Sequence, residues 1–322
     1  MTNGSGEGQT PDRRVQYTVP ESLAGARLDK ATCDLAKGTS RAKVKRAIEV
    51  GAVRVNGRRA PKGALVAKDD VIQIDMEILE TNEGPAIASP EAPLNVRFSS
   101  EQVLIVDKPA GQACAPLRPS ETGTLANALV GHYPELAGIG YSPREPGLVH
   151  RLDTETTGLV VVARTKEAFD KLRAALKAEE IAKDYLLVCA EEGLPDEGTI
   201  EFPIANHPKD QRRVYPCVHP RDVMRYAPRP AHTHYRVEKR VGTWALVRAE
   251  AKRALRHQIR SHFAAIDHPL AGDTLYGGAE IRHLGRHALH AARVKYAGDP
   301  ALAFDVESPL PPEMAALVTP ES

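Results

Sequence analysis

Apolar positions along the chain fall into two regimes. In the N-terminal part they recur at intervals. Leu28, Ala31, Thr32 and Leu35 lie at helical spacing, with Gly38 as the stop. A second helix is predicted over residues 41–50, because Ser40 is a natural N-cap and Gly51 stands where a left-handed C-terminal residue belongs. On that helix Val44, Ala47 and Ile48 share one face, while Arg41, Lys43, Lys45 and Arg46 fan over the other. Val53 and Val55 then alternate before Asn56-Gly57, a strong hairpin signal, and Val71 to Ile74 supply a later strand. Residues 80–93, rich in Glu, Pro, Ala and Ser, read as a linker. Beyond them the apolar residues come in unbroken runs, Val103 to Val106 and Leu159 to Ala163, which predict strands buried on both faces. Residues 124–130 look helical, Phe169, Leu172 and Leu176 form a helical stripe read as core, and Lys183 to Val188 form a further strand.

Composition sets limits on this picture. At 322 residues the chain can hold a large domain with its own core and one small module. A net charge of +1 alone speaks against a nucleic-acid partner, but the charge is segregated. From Arg13 to Asp75 there are fourteen Lys or Arg against seven Asp or Glu, and from Asn206 to Arg260 fourteen against four. The four cysteines have no close spacing, so reduced thiols and a cytoplasmic location are expected. No apolar run reaches the length of a membrane span, and residues 1–15 read as a disordered leader. His232 and His234 invite a metal reading, but without clustered carboxylates or thiols no metal is expected. No phosphate-binding glycine loop is present, so no cofactor is expected either.

The candidate chemistry sits in the polar stretch Gly147 to Gly158, which empties into the buried run Leu159 to Ala163. Such a loop can hold a carboxylate rigidly at a cleft, and Asp153 has His150 and Arg151 beside it. Taken alone, Asp153 reads as an Asx-type turn capping the strand. His150-Arg151-Leu152-Asp153-x-x-Thr156-Thr157-Gly158-Leu159, however, resembles the catalytic signature of the RluA-type RNA pseudouridine synthases. The resemblance makes Asp153 the catalytic acid. It continues in Asp107-Lys108-Pro109-Ala110-Gly111, where the family usually has Asn first and where a scaffolding role is assigned. Lys183-Asp184-Tyr185 is similar to the segment carrying the family's active-site tyrosine, which passes that role to Tyr185. His207-Pro208-Lys209-Asp210, Ala231 to Val237, His257-Gln258-Ile259-Arg260-x-His262 and His268 to Gly277 resemble further family motifs. One departure stands out. Where the family usually writes Thr-Gly-Arg-Thr before His-Gln, this chain has Arg253-Ala254-Leu255-Arg256. Arg260 is then the candidate partner of the catalytic acid.

Residues 16–79 resemble the S-four type RNA-binding domain, which implies that Arg41, Lys43, Lys45, Arg46 and Arg54 meet RNA phosphates. The expected fold is α+β: a small N-terminal α/β RNA-binding domain, and over 94–322 a pseudouridine synthase domain on a mixed, largely antiparallel β-sheet. The implied reaction breaks the bond from the anomeric carbon to uracil N1 and rejoins the sugar to C5. One carboxylate can face the anomeric carbon as nucleophile or as base, an arginine can supply its counter-charge, and an aromatic ring can hold the detached base. Arg151 is the candidate to fill the space left by a flipped uridine. The basic segment 211–230, interrupted by four prolines, is too irregular to predict an element and reads as an RNA-contacting or a merely solubilising loop. Ribosomal RNA of the large subunit is the favoured substrate, with transfer RNA open, and a monomer is expected. Two other functions compete: a catalytically silent RNA-binding or ribosome-assembly protein on the same fold, and a nucleoside glycosidase using Glu155 as second carboxyl.

Overall fold

The computed structural model describes residues 14–37, 39–76, 84–118 and 120–320, with the side chains of Ala42, Arg46 and Val50 also outside the description. The chain divides into two compact units, 1–84 and 85–322.

In the first unit the described strands β1 (Arg14–Thr18), β2 (Val53–Val55), β3 (Arg58–Arg59) and β4 (Val71–Asp75) form an antiparallel sheet in the order β1-β4-β2-β3. β1 takes in Arg14 and Val15, which composition had placed in the leader; most of that leader, and Gly38, lie outside the described residues. The helices Leu28–Leu35 and Arg41–Val50 bury Leu28, Ala31, Val44, Ala47 and Ile48 together with Val53, Ile72 and Ile74. Ser40 Oγ accepts the Lys43 N–H at 3.3 Å and Gly51 stands at φ 80°, so both caps form as the sequence expects. Asn56 and Gly57 have φ 49° and 76°, the paired left-handed conformation of a tight hairpin turn.

The second unit is built on a large sheet. Its described strands run β5 (Val96–Ser99), β6 (Val103–Lys108), β7 (Thr157–Ala163), β14 (Leu289–Tyr296), β8 (Ala182–Ala190), β13 (Trp244–Glu250), β12 (Thr233–Val241) and β9 (Glu197–Ile200), and β15 (Phe304–Glu307) pairs with β14. All pairs are antiparallel except β7 with β14. The unbroken runs have a direct cause. Val103, Ile105, Leu159 and Val161 pack toward Phe169, Leu172 and Leu176 of the helix Lys166–Lys177. Leu104, Val106, Val160 and Val162 pack with Leu125 and Leu129 of the helix Leu125–His132. A strand covered on both faces has no polar side to present.

Two segments differ from the sequence reading. Past Gly84 the Pro-rich stretch packs onto the second unit: Ala86 is buried, Asn127 Nδ2 donates to the Ile87 carbonyl at 2.7 Å, and the Ser89 N–H donates to Asn127 O at 3.0 Å. The basic segment is ordered into elements, a correction to the irregular loop expected there. β11 (Val214–Pro216) pairs with β10 (Ile204–Asn206), and a helix spans Pro220–Tyr226. Its prolines bound elements and break none: Pro216 ends a strand, Pro220 opens the helix where no N–H is needed, and Pro228 and Pro230 follow it. Tyr215 fastens the helix with its hydroxyl on Asp222 Oδ2 at 3.0 Å and its ring against Tyr226.

Candidate active site

Three parts of the second unit meet at Asp153. The loop that carries it is tied down by Lys108, a residue at the end of β6 that is only 1% exposed. Its ammonium donates to the carbonyls of Pro109 and Gln112 at 2.8 Å and of Thr154 at 2.9 Å. Burial pulls the Lys108 pKa down to about 8, even though Cys114, Glu155 and Asp153 favour the charge. The Leu152 N–H donates to Cys114 Sγ at 3.2 Å, and the Thr156 N–H to the Asp153 carbonyl at 3.1 Å. Gly158 then lets β7 press against β14, since a Cβ there would collide with the Ala291 backbone. Asp107, standing where the resembled family usually has Asn, accepts from Ser308 Oγ at 2.6 Å and Arg97 Nε at 2.9 Å. The scaffolding role given to this motif has a physical counterpart: a buried cation holding three carbonyls ties down the Asp153 loop.

The second part is the helix Gln258–Ala265, which carries Arg260. Arg260 Nη1 donates to Asp153 Oδ2 at 3.0 Å, while Nε and Nη2 grip the two oxygens of Asp273 at 2.7 and 2.8 Å. Burial works against the Arg260 charge, but Asp273 and then Asp153 outweigh it and its pKa rises. His257, just before the helix, places Nε2 3.7 Å from Asp153 Oδ2.

The third part is β8, which brings Tyr185 and Lys183 to the same wall. Burial pushes the Tyr185 phenol well up, and the Asp153 charge adds to this, so the hydroxyl keeps its proton. Burial and then the Arg173 charge draw Lys183 down to about 8. A cavity of about 470 Å³ opens between these parts, lined by Asp153, Tyr185, His257, Leu152, Ile259 and Leu289 among others. Among the described residues lining it, Asp153 is the one acid.

The other sequence candidates are placed as follows. Arg151 stands at the cavity, largely exposed, paired with Glu145 at 2.8 Å. His150, beside it in sequence, accepts the Val161 N–H on Nε2 at 3.1 Å, and burial drives its pKa down to about 3; it anchors the strand as a neutral ring. In the first unit Arg41 and Lys45 are exposed and Lys43 and Arg54 partly so, whereas the Arg46 side chain lies outside the described residues. His232 and His234 turn to Glu201 and Thr199, and no group of three or more His, Cys, Asp or Glu suited to a metal occurs among the described residues. No helix among them is long and apolar enough to cross a membrane.

A family model described as RNA pseudouridylate synthase matches residues 102–265, and one described as S4 domain matches 26–72. The ribosomal large subunit pseudouridine synthase D of Yersinia pestis is 34% identical over 320 residues, covering 95% of this chain and 94% of that protein. The protein of the same name from Escherichia coli (strain K12) is 34% identical over 326 residues, with 95% and 94% covered. The chain belongs to the RNA pseudouridylate synthase family. Its fold is shared with human RNA pseudouridylate synthase domain containing 1, at a TM-score of 0.54 and 22% identity over 69% of this chain and 85% of that one. Human RNA pseudouridylate synthase domain containing 4 gives 0.52 and 22% over 69% and 90%.

One carboxylate with an arginine counter-charge faces a cavity, and a buried aromatic ring stands in the same wall. A glycosidase of the retaining kind needs a second carboxyl roughly 5 Å away, and the described lining contains none. The sequence candidates Asp153 and Tyr185 line this cavity and Arg260 pairs with Asp153, whereas Asp273 and His257 had been given no role. Both stand in motifs that were visible, yet their meeting with Arg260 and Asp153 is a through-space event. Before His257, Ala254, which stands where the resembled motif has glycine, adopts φ 35°.

Proposed function

We propose that this enzyme converts uridines to pseudouridine in large-subunit ribosomal RNA, with Asp153 as the reacting carboxylate, Arg260 as its counter-ion and Tyr185 as the surface that holds the base. The observation that carries the reading is the Asp153–Arg260 pair at 3.0 Å on a cavity whose described lining has no other acid. In the reaction the C1′–N1 bond breaks, C1′–C5 forms, the C5 hydrogen leaves and N1 gains a proton, so no oxidant or nucleotide is consumed. Asp153 serves either as nucleophile at C1′ or as base on the sugar. The uridine leaves its stack to reach the cavity, and Arg151 fills the space it leaves.

In this proposal residues 16–79 are the RNA-binding domain and 94–322 the catalytic domain, and the connection 80–93 is docked on the second unit at Ala86 to Ser89. Arg41, Lys43, Lys45, Arg46 and Arg54 hold RNA phosphates. Large-subunit ribosomal RNA is favoured by the names of the relatives at 34% identity. Action as a monomer in the cytoplasm belongs to the same proposal.

Transcripts labelled with [5-³H]uridine test it, because joining C1′ to C5 expels the label. Tritium released from unmodified large-subunit ribosomal RNA, without free uracil, is the expected result. Release from transfer RNA alone would move the substrate, free uracil would indicate a glycosidase, and tight binding without release would leave a silent RNA-binding protein.

A further inference from the structure

Besides Arg260, a second group approaches Asp153. His257 stands in left-handed backbone, φ 52° and ψ 19°. That conformation costs a residue with a side chain about 1 kcal/mol or more, and persists where the surroundings impose it. The ring lies in the cavity wall, with Nε2 at 3.7 Å from Asp153 Oδ2 and Nδ1 at 3.0 Å from the Tyr276 hydroxyl. Tyr276 Oη already accepts the Val214 N–H at 2.8 Å, which leaves its own hydrogen to donate to His257 Nδ1. This donation, with the Asp153 carboxylate on the other side of the ring, favours the tautomer whose hydrogen is on Nε2. Burial lowers the His257 pKa even though the Asp153 charge opposes this, with Arg260 and Arg256 adding to the fall, so the neutral ring is the resting form. Tyr276 is itself held, its ring lying 5.2 Å from both the Arg213 and Arg260 guanidinium carbons.

We propose that His257 is a positioning residue for the isomerisation, its Nε2–H, oriented by Tyr276, closing on Asp153 Oδ2 once RNA fills the cavity. This rests on the role given to Asp153 above. At 3.7 Å the contact is too long for a hydrogen bond, and such contacts in unliganded sites tighten when the substrate arrives. Arg260 and His257 then both engage Oδ2. Oδ1, which receives no hydrogen bond among the described residues, is left to face the anomeric carbon. With two donors on one oxygen the carboxylate cannot turn about its own axis, so the reacting oxygen is always the same one.

The test uses the full-length protein on [5-³H]uridine-labelled large-subunit ribosomal RNA transcripts, reading the single-turnover rate and the RNA Kd separately. His257→Leu and His257→Gln carry the same backbone cost, so their difference reports the side chain alone. His257→Leu is expected to slow the single-turnover rate by about 10- to 100-fold with little change in Kd. His257→Gln, whose amide N–H reaches toward the place of Nε2–H, should recover most of that loss. Tyr276→Phe, which frees the tautomer, should slow the rate in the same direction and decides the matter if His257→Leu does not fold. A His257→Leu enzyme as fast as wild type, or a His257→Gln enzyme as slow as His257→Leu, would overturn the inference and leave the reading of Asp153 standing. A wild-type enzyme that releases no tritium would overturn both.

Discussion

Asp273 holds Arg260 through two hydrogen bonds, from Nε at 2.7 Å and Nη2 at 2.8 Å, and so frees Nη1 to reach Asp153. The Asp273 side chain is 1% exposed and that of Arg260 7%. Removing the acid would leave Arg260 with the partly exposed Asp153 as its remaining counter-charge. Asp273→Asn is expected to cost about 1–3 kcal/mol of stability, less than an unpaired buried charge would because Asp153 still faces Arg260, and to slow catalysis by loosening Arg260. Urea unfolding beside a single-turnover assay checks both; an unchanged midpoint would show that the pair does not stabilise the fold.

Tyr185 separates ring from hydroxyl. Among the described residues its hydroxyl makes no hydrogen bond, and the side chain is buried at the cavity wall. Tyr185→Phe should therefore change stability by less than about 1 kcal/mol and leave RNA affinity intact. If the hydroxyl relays a proton, the single-turnover rate falls by about 100-fold or more. A wild-type rate in Tyr185→Phe would confine the residue to stacking.

Ala254 adopts φ 35°, a left-handed conformation that glycine takes without strain. Ala254→Gly should raise stability by up to about 1 kcal/mol, the relief exceeding the added freedom of the unfolded chain. Thermal melting measures it. A lower melting temperature would mean that the Ala254 methyl contributes packing worth more than the strain.

His150 and His262 are neutral in the folded protein, their pKa values pulled by burial from 6.5 down to about 3 and about 4. Above pH 6.5 both folded and unfolded forms are neutral there, and stability is whole. As pH falls below 6.5 the unfolded chain takes up protons that the fold refuses. Each histidine then removes about 1 kcal/mol per pH unit until its folded pKa is reached. Melting temperature should drop steadily from pH 6.5 toward pH 4. A flat profile over that range would contradict the neutral assignment of both rings.

Local chemistry made much of the fold legible. Ser40 and Gly51 bounded a helix, Asn56-Gly57 gave the hairpin, and the runs at Val103 and Leu159 announced strands with both faces covered. The pairs that build the site were less legible, since Asp153 and Arg260 lie 107 residues apart and meet only through the order of the sheet. The motif resemblance supplied that meeting, whereas propensity could not. Lys108 shows the same limit: a lysine at a strand end reads as exposed, and only the three carbonyls around it explain its burial. The helix Pro220–Tyr226 was hidden because prolines count as breakers until one is seen to occupy the first turn.

In the proposed function the Asp153 carboxylate makes pseudouridine in large-subunit ribosomal RNA. Pseudouridine mapping on total RNA from cells lacking this gene, complemented with wild type or with Asp153→Asn, tests it most directly. Specific large-subunit sites are expected to vanish without the gene and to return with wild type alone. Sites restored equally by Asp153→Asn would contradict it.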